Sequence, residues 1–178
     1  MEVATLFEEL KKSQSVMWGS GPFEKVEVSI ADMHESIVEA VGPHGGRAWL
    51  DIGCGTGGVS VPAAASGAAV TGVDLAPNLI ATARERAEES GMDIRYQVGD
   101  VENLDFGDAD FGTVTSSVGA IFAPDQKAAA REMTRVCQPG GRLAISSEGV
   151  RQVTEAALVT VQPFRFDPLI PTLMRLFL

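Results

Sequence analysis

The chain has 178 residues, 45% of them apolar and 21% charged, which suits one domain able to bury a core and excludes a disordered chain. Its 14 Lys and Arg against 24 Asp and Glu leave a net charge of −10, which opposes association with a phosphate backbone. The two cysteines, Cys54 and Cys137, have no C-x-x-C or Cys/His spacing, so neither a disulfide framework nor a metal site is indicated.

Val3, Leu6, Phe7 and Leu10 recur at helical spacing and predict a first helix. Ile30, Met33, Ile37 and Val41 predict a second, with MWGSGPFEKV (17–26) as the loop between them. From there strands and helices alternate. RAWLDI (47–52) reads as a strand, 58–66 as a helix, AAVTGVD (68–74) as a strand and 77–89 as a helix. DIRYQVGD (93–100) and DFGTVTSS (110–117) are the third and fourth strands. A helix over 125–137, with Ala129, Met133 and Val136 on one face, leads to a fifth strand, GRLAIS (141–146). Strands separated by helices of this length predict right-handed crossovers, hence an α/β doubly wound parallel sheet covered on both faces. The chain divides into N-terminal helices (1–46), a core (47–148) and an apolar tail (149–178) that has room for a helix such as 155–161. No stretch approaches the roughly 18 apolar residues of a membrane span, and the acidic, amphipathic N-terminus is unlike a secretory signal, so a cytoplasmic protein is expected.

In an open parallel sheet the ligand crevice lies beyond the carboxyl ends of the strands. Those ends carry Asp51 with the glycine loop of LDIGCGTGGVS (50–60), then Asp74, Asp100, and Ser116 with Ser117. The loop satisfies two patterns at once: G-x-G-x-x-G over Gly53, Gly55 and Gly58, and D-x-G-x-G-x-G from Asp51. Either lets backbone N–H groups approach a polar ligand, and Asp74 suits a ribose diol in both. Asp51 separates the two, because it would be an anion beside a pyrophosphate anion but an attractive partner for the ammonium and sulfonium of S-adenosylmethionine. Asp100 is placed to accept from an adenine amino group, with the Val101 amide donating to the ring. Simpler readings are a helix cap for Asp51, solvated strand ends for Asp74 and Asp100, a small loop residue for Cys54, and structural roles for His34 and His44.

LDIGCGTGG (50–58), VTGVDLAPNLIATARERA (70–87), GDVENLDFGDADFGTVTSS (99–117) and RVCQPGGRLAIS (135–146) stand in an order and spacing that resemble a class I S-adenosylmethionine-dependent methyltransferase, of the UbiE-like, methyltransferase type 11 group. The resemblance implies a Rossmann-like sheet of order 3-2-1-4-5 and S-adenosyl-L-methionine as cofactor. It further implies that Gly53, Cys54, Gly55, Thr56 and Gly57 wrap the methionine part, with Asp51 behind them. Asp74 would hold the ribose, Leu75 pack on the adenine, Asp100 and Val101 read its edge, and Ser117 lie near the sulfonium. WGSGPFEKV (18–26) resembles a segment that closes the cofactor pocket, with Trp18 as a lid and Phe23 where tyrosine is commoner. The chemistry expected is direct displacement at the methyl carbon, with no metal. A small-molecule acceptor is expected, since the N/D-P-P-Y/F run of nucleic-acid amino methylases is missing and Cys137 precedes Gln138 where a cytosine methylase has proline. The family usually continues through a sixth and seventh strand, and residues 151–178 leave too little for the full set, so those strands are expected to be absent or incomplete. An exposed sheet edge or the apolar tail would then favour a homodimer. The alternatives are an NAD(P)-dependent oxidoreductase and an inactive cofactor-binding module that works by association.

Overall fold

Short runs rich in Val, Ile, Leu and Thr, each stopped by glycine or aspartate, become the strands of one sheet in the computed structural model, which describes residues 3–21, 23, 25, 27, 30–42 and 47–146. The strands are β1 (Ala48–Ile52), β2 (Ala69–Asp74), β3 (Arg95–Val98), β4 (Phe111–Ser117) and β5 (Cys137–Ser146). All pair in parallel, in the order β3-β2-β1-β4-β5. The order reverses between β1 and β4, which is where such a sheet opens a crevice. Asp51, near the end of the central strand, stands opposite Gly72 of β2 and Thr115 of β4.

Helices cover both faces because alternate residues of β1 point to opposite sides. Leu50 and Ile52 are buried with Val114, Met133 and Val136, the last two from α5 (Gln126–Val136). Trp49 is buried on the other side with Ile37 and Val41 of α2 (Ala31–Val41) and Ala63 of α3 (Ser60–Ala65). Its indole N–H donates to the Thr115 hydroxyl at 2.9 Å, which satisfies both groups inside the core. α4 (Pro77–Glu89) starts on Pro77, whose missing N–H costs nothing in a first turn. Asp125 caps α5 by accepting from the N–H groups of Lys127 and Ala128.

The first helix, α1 (Val3–Ser20), runs well into the segment expected to be loop. Side chains along it find partners at Asp100, Phe122 and Leu75, just beyond the strand ends, and the helix runs on through Gly19 to Ser20. β5 begins at Cys137, where the sequence predicts a start at 141. Pro139 and the left-handed Gly140 (φ 74°) are absorbed by a register irregularity opposite Phe111 and Thr113, as an edge strand allows. The third strand is shorter than the 93–100 predicted, because the chain turns at Asp100, which bridges Asn103. The sixth and seventh strands, the helix at 155–161 and His44 all fall outside the described residues. Among the described residues no helix is long and apolar enough to cross a membrane.

Candidate functional site

At the carboxyl ends of β1, β2 and β4 lies a cavity lined by Asp51, Gly53, Cys54, Asp74, Leu75, Asp100, Val101 and Ser117, with Trp18 at its edge. The glycine loop is fastened to β2. Gly53 and Cys54 donate their N–H groups to the Val73 carbonyl at 2.8 and 3.0 Å, and Gly55 donates to Asp74 Oδ2 at 2.9 Å. The other Asp74 oxygen accepts from the Ala76 N–H at 2.9 Å. Each oxygen can accept more than one bond, so the carboxylate keeps capacity for hydroxyls in the cavity. Burial pushes its pKa up, against the pull of these backbone donors.

Asp51 is 1% exposed. Its carboxylate accepts from the Ser60 hydroxyl at 2.6 Å and the Thr115 hydroxyl at 3.2 Å. Burial nevertheless pushes its pKa up to about 7, with the Asp74 charge adding to the rise and the Ser60 and Thr115 bonds opposing it. A cation in the cavity would reverse that shift. Asp51 thus holds the first turn of α3 and also lines the cavity.

At the other end of the cavity Asp100 accepts from Lys11 of α1 at 2.7 Å and from the Glu102 N–H at 2.9 Å. Lys11 also pairs with Glu8 and Glu102, and these partners push its pKa up past the cost of its own burial. Lys11 stands in no sequence motif. Its partners Asp100 and Glu102 lie 89 and 91 residues away, so no local pattern could have revealed those two contacts.

Gly55, Thr56 and Gly57 do not line the cavity. Thr56 turns its hydroxyl away to Glu27, whose carboxylate also takes the Arg86 guanidinium, and Arg86 donates to Thr56 at 2.7 Å. This trio, with Thr56 and Glu27 buried and Arg86 partly exposed, braces the loop and stands in no local sequence motif. His34 lies against Gly58 and lines the cavity; burial pushes its pKa down, against the raising effect of Glu27. The Cys54 thiol is pushed well up by burial and by the neighbouring Asp51 and Asp74, which suits no nucleophile. No cluster able to hold a metal ion occurs among the described residues.

Ser117 pairs with Ser146 at 3.1 Å, while Ser116 ties Ile52 to Ala120. Beyond them Val118 takes a left-handed conformation (φ 59°), which a β-branched residue adopts only at a cost. The twist seats Gly119 against Gly53 and starts a 3-10 turn, Ala120–Phe122, on the cavity wall. Val118→Asn, which tolerates that conformation, is expected to raise the melting temperature by a few degrees in thermal unfolding; a lower value would mean that the Val118 side chain matters more than the strain.

Over residues 50–145 the sequence matches the family model for a methyltransferase domain. The chain belongs to this methyltransferase family. It is 36% identical to the Mycobacterium tuberculosis protein Rv1405c over 88% of its length and 57% of that protein's. It is 34% identical to aklanonic acid methyltransferase DauC of a Streptomyces species over 89% of its own length and 73% of that enzyme. The methyltransferase chain spans little more than half the length of the first mycobacterial relatives it matches. Among solved structures, geranyl diphosphate methyltransferase in complex with S-adenosylmethionine superposes with a TM-score of 0.60 at 27% identity, over 64% of this chain and 47% of that one. The [4+2]-cyclase SpnF superposes equally well, at a TM-score of 0.61 and 27% identity over 65% and 44% of the two chains. A methyltransferase-like fold therefore does not by itself name a reaction; the site must do that.

Proposed function

We propose that the protein binds S-adenosyl-L-methionine in this cavity and transfers the methyl group to a small-molecule acceptor by direct in-line displacement. The observation that carries the reading is the placement of Asp51, Asp74 and Asp100 around one cavity, at or just past the carboxyl ends of three adjacent strands. Asp74 would hold the ribose hydroxyls, with its backbone partners fixing its orientation. Asp100 and Val101 would meet the adenine edge beside Leu75, and Gly53 and Cys54 the methionine end. Asp51 fits a cationic ligand, since its buried carboxylate is short of positive charge. A pyrophosphate would meet Asp51, Asp74 and Glu27 instead, which argues against a nicotinamide cofactor.

The cofactor supplies an activated methyl carbon. The acceptor's lone pair forms the new bond to that carbon as the carbon–sulfur pair returns to sulfur, leaving a neutral thioether. The chain's task is orientation, and holding acceptor, carbon and sulfur in line supplies on the order of 7 kcal/mol or more of the barrier reduction. The relatives that act on aklanonic acid and geranyl diphosphate, together with the net charge of −10, support a small acceptor rather than nucleic acid.

S-adenosylmethionine and its demethylated product are each expected to raise the melting temperature at millimolar concentration, and Asp74→Ala to abolish both shifts. A flat response would sink the reading, and a shift with NAD or NADP alone would replace it.

A further inference from the structure

One row of residues crosses the sheet beside the glycine loop. Asp51 of β1 stands in register with Gly72 of β2, and Gly72 with Tyr96 of β3. Side chains in register on neighbouring parallel strands lie on the same face, so the carboxylate and the phenol share a face with no side chain between them. Tyr96 uses that room: a methyl on Gly72 would strike its ring at 2.5 Å. The ring therefore crosses β2 and carries its hydroxyl toward β1. A methyl on Gly57 would meet that hydroxyl at 2.6 Å, which puts it directly against the glycine loop. Two glycines thus leave space for one side chain.

Packing accounts for the ring and leaves the hydroxyl unexplained. The ring is buried with Cys54, Ile80, Ala83 and Ala87, as a phenylalanine would be. Tyr96 is 5% exposed, and its hydroxyl has no hydrogen-bond partner among the described residues. A buried unpaired hydroxyl is destabilising, so it calls for a reason. Its surroundings supply one. Burial pushes the phenol's pKa up, the Ser60 hydroxyl opposes the rise, and Cys54, Asp51 and Glu27 add to it, so these groups face it. Ser60, fully buried at the start of α3, donates its own proton to Asp51 at 2.6 Å, which leaves its oxygen able to accept. On the other side of Asp51 the Thr115 hydroxyl donates at 3.2 Å. Asp74 is the further charge acting on Asp51, while His34 and Glu27, the latter held by Arg86, line the same cavity.

A hydroxyl chain from Tyr96 through Ser60 to Asp51 favours the ionised carboxylate. While Asp51 is charged, Ser60 donates to it and can accept from Tyr96, so each bond polarises the next. When Asp51 carries a proton it can itself donate to Ser60, and the phenol then competes for the same oxygen. We infer that Tyr96 is a positioning residue that acts through Ser60 on Asp51, keeping the carboxylate charged and aimed as the cationic end of the ligand enters the cavity. The role rests on the cofactor reading proposed above. It goes beyond that reading by giving the hydroxyl of the chain's single tyrosine a task that the ring alone could not perform.

The test compares the unmodified chain with Tyr96→Phe. Calorimetry gives affinities for S-adenosylmethionine and S-adenosylhomocysteine, which carry an ammonium, and for methylthioadenosine, which keeps adenine, ribose and sulfur without it. Tyr96→Phe is expected to bind the first two about fivefold more weakly and the third unchanged. The pH below which the first two lose affinity is expected to move upward in the variant. The cofactor-free variant is expected to melt no lower than the unmodified chain, since an unpaired hydroxyl has been removed. With a single tyrosine, an isotope label at Cζ gives one NMR resonance, which S-adenosylhomocysteine is expected to shift in the unmodified chain and leave in place in Ser60→Ala. Equal affinities of the two proteins, equal weakening for all three ligands, a lower melting temperature or an unmoved resonance would overturn the role and leave Tyr96 as packing. Ser60→Ala is expected to show the same split in affinity, and it decides should Tyr96→Phe fail to fold. Failure of the unmodified chain to bind any of the three ligands would instead refute the cofactor reading, so the two outcomes stay distinct.

Discussion

Asp51→Asn is expected to stabilise the cofactor-free protein at pH 8 while weakening its hold on the cofactor. The Asp51 carboxyl has an ordinary value of 3.8 and is pushed up to about 7 by burial. A group whose pKa is higher in the folded state contributes stability below its unfolded value and loses it as pH rises. For Asp51 the loss runs from about pH 4 to about pH 7, and above that the charged carboxylate is a constant burden. The shift of about three units corresponds to on the order of 4 kcal/mol, by the conversion of 1.36 kcal/mol per unit. Asparagine occupies the same volume and can still bond Ser60 and Thr115, so the variant should lose the Asp51 part of the decline and fall less steeply across that window. Asp74, itself raised and adding to the rise at Asp51, remains in both proteins, so the comparison reads the Asp51 charge together with its coupling to Asp74. A cationic ligand favours the charged form of Asp51, so binding should release a proton below pH 7 and tighten as pH rises to that point. Denaturant unfolding at pH 5 and pH 8 checks the first half, and calorimetry at pH 6 in buffers of different ionisation enthalpy checks the second. Identical pH curves for the two proteins would refute the account.

Gly53→Ala should cost more than any single truncation of an apolar side chain at the surface, by at least about 3 kcal/mol. Gly53 has a φ of 65°, and a methyl there would meet the Gly119 α-carbon at 2.6 Å. Neither backbone can yield easily: Gly53 is bonded to Val73, and Gly119 starts the turn that carries Phe122. Gly140 supplies the control. Its φ is 74°, yet nothing lies within 4 Å of the site of a new methyl, so Gly140→Ala should cost only the left-handed strain, about 1–2 kcal/mol. If the two alanine variants unfold at similar denaturant concentrations, close approach of the two backbones is not what the loop requires.

The sheet was legible because its signals are local. Apolar runs, Pro77, and the glycines after each helix mark elements within a few residues, and the order β3-β2-β1-β4-β5 follows from the family resemblance. The aspartates at the strand ends were legible for the same reason. What escaped reading depends on partners far along the chain. Lys11 is a solvent-facing lysine by pattern and a buried cation by its meeting with Asp100 and Glu102. Glu27 stands just past the segment read as loop (17–26), and only the fold brings Arg86 and Thr56 to it. Gly119 shows its meaning only once β4 has delivered it to Gly53. The long α1 and the early start of β5 were missed for a related reason, since contacts with the sheet overrode glycine and proline as stop signals. Thr56 and Gly57 stand in the motif, yet Thr56 faces the brace behind the loop and Gly57 makes room for the Tyr96 hydroxyl, 2.6 Å from where its methyl would be.

The manner in which α1 is attached carries a thermodynamic corollary. Lys11 bonds Asp100, Gln14 bonds the Phe122 carbonyl at 2.9 Å, Ser15 bonds the Leu75 carbonyl at 2.9 Å, and the Gly19 carbonyl accepts from Asn78 at 3.1 Å. Leu6, Leu10 and Val16 of the same helix stay exposed. Each stitch lands on, or next to, a residue that lines the cavity. Docking of the helix and filling of the cavity are therefore two equilibria written on the same atoms, and by reciprocity whatever factor one gains from the other is returned. A ligand that needs α1 in place therefore also holds the helix down, by the same factor that the docked helix adds to the ligand's affinity.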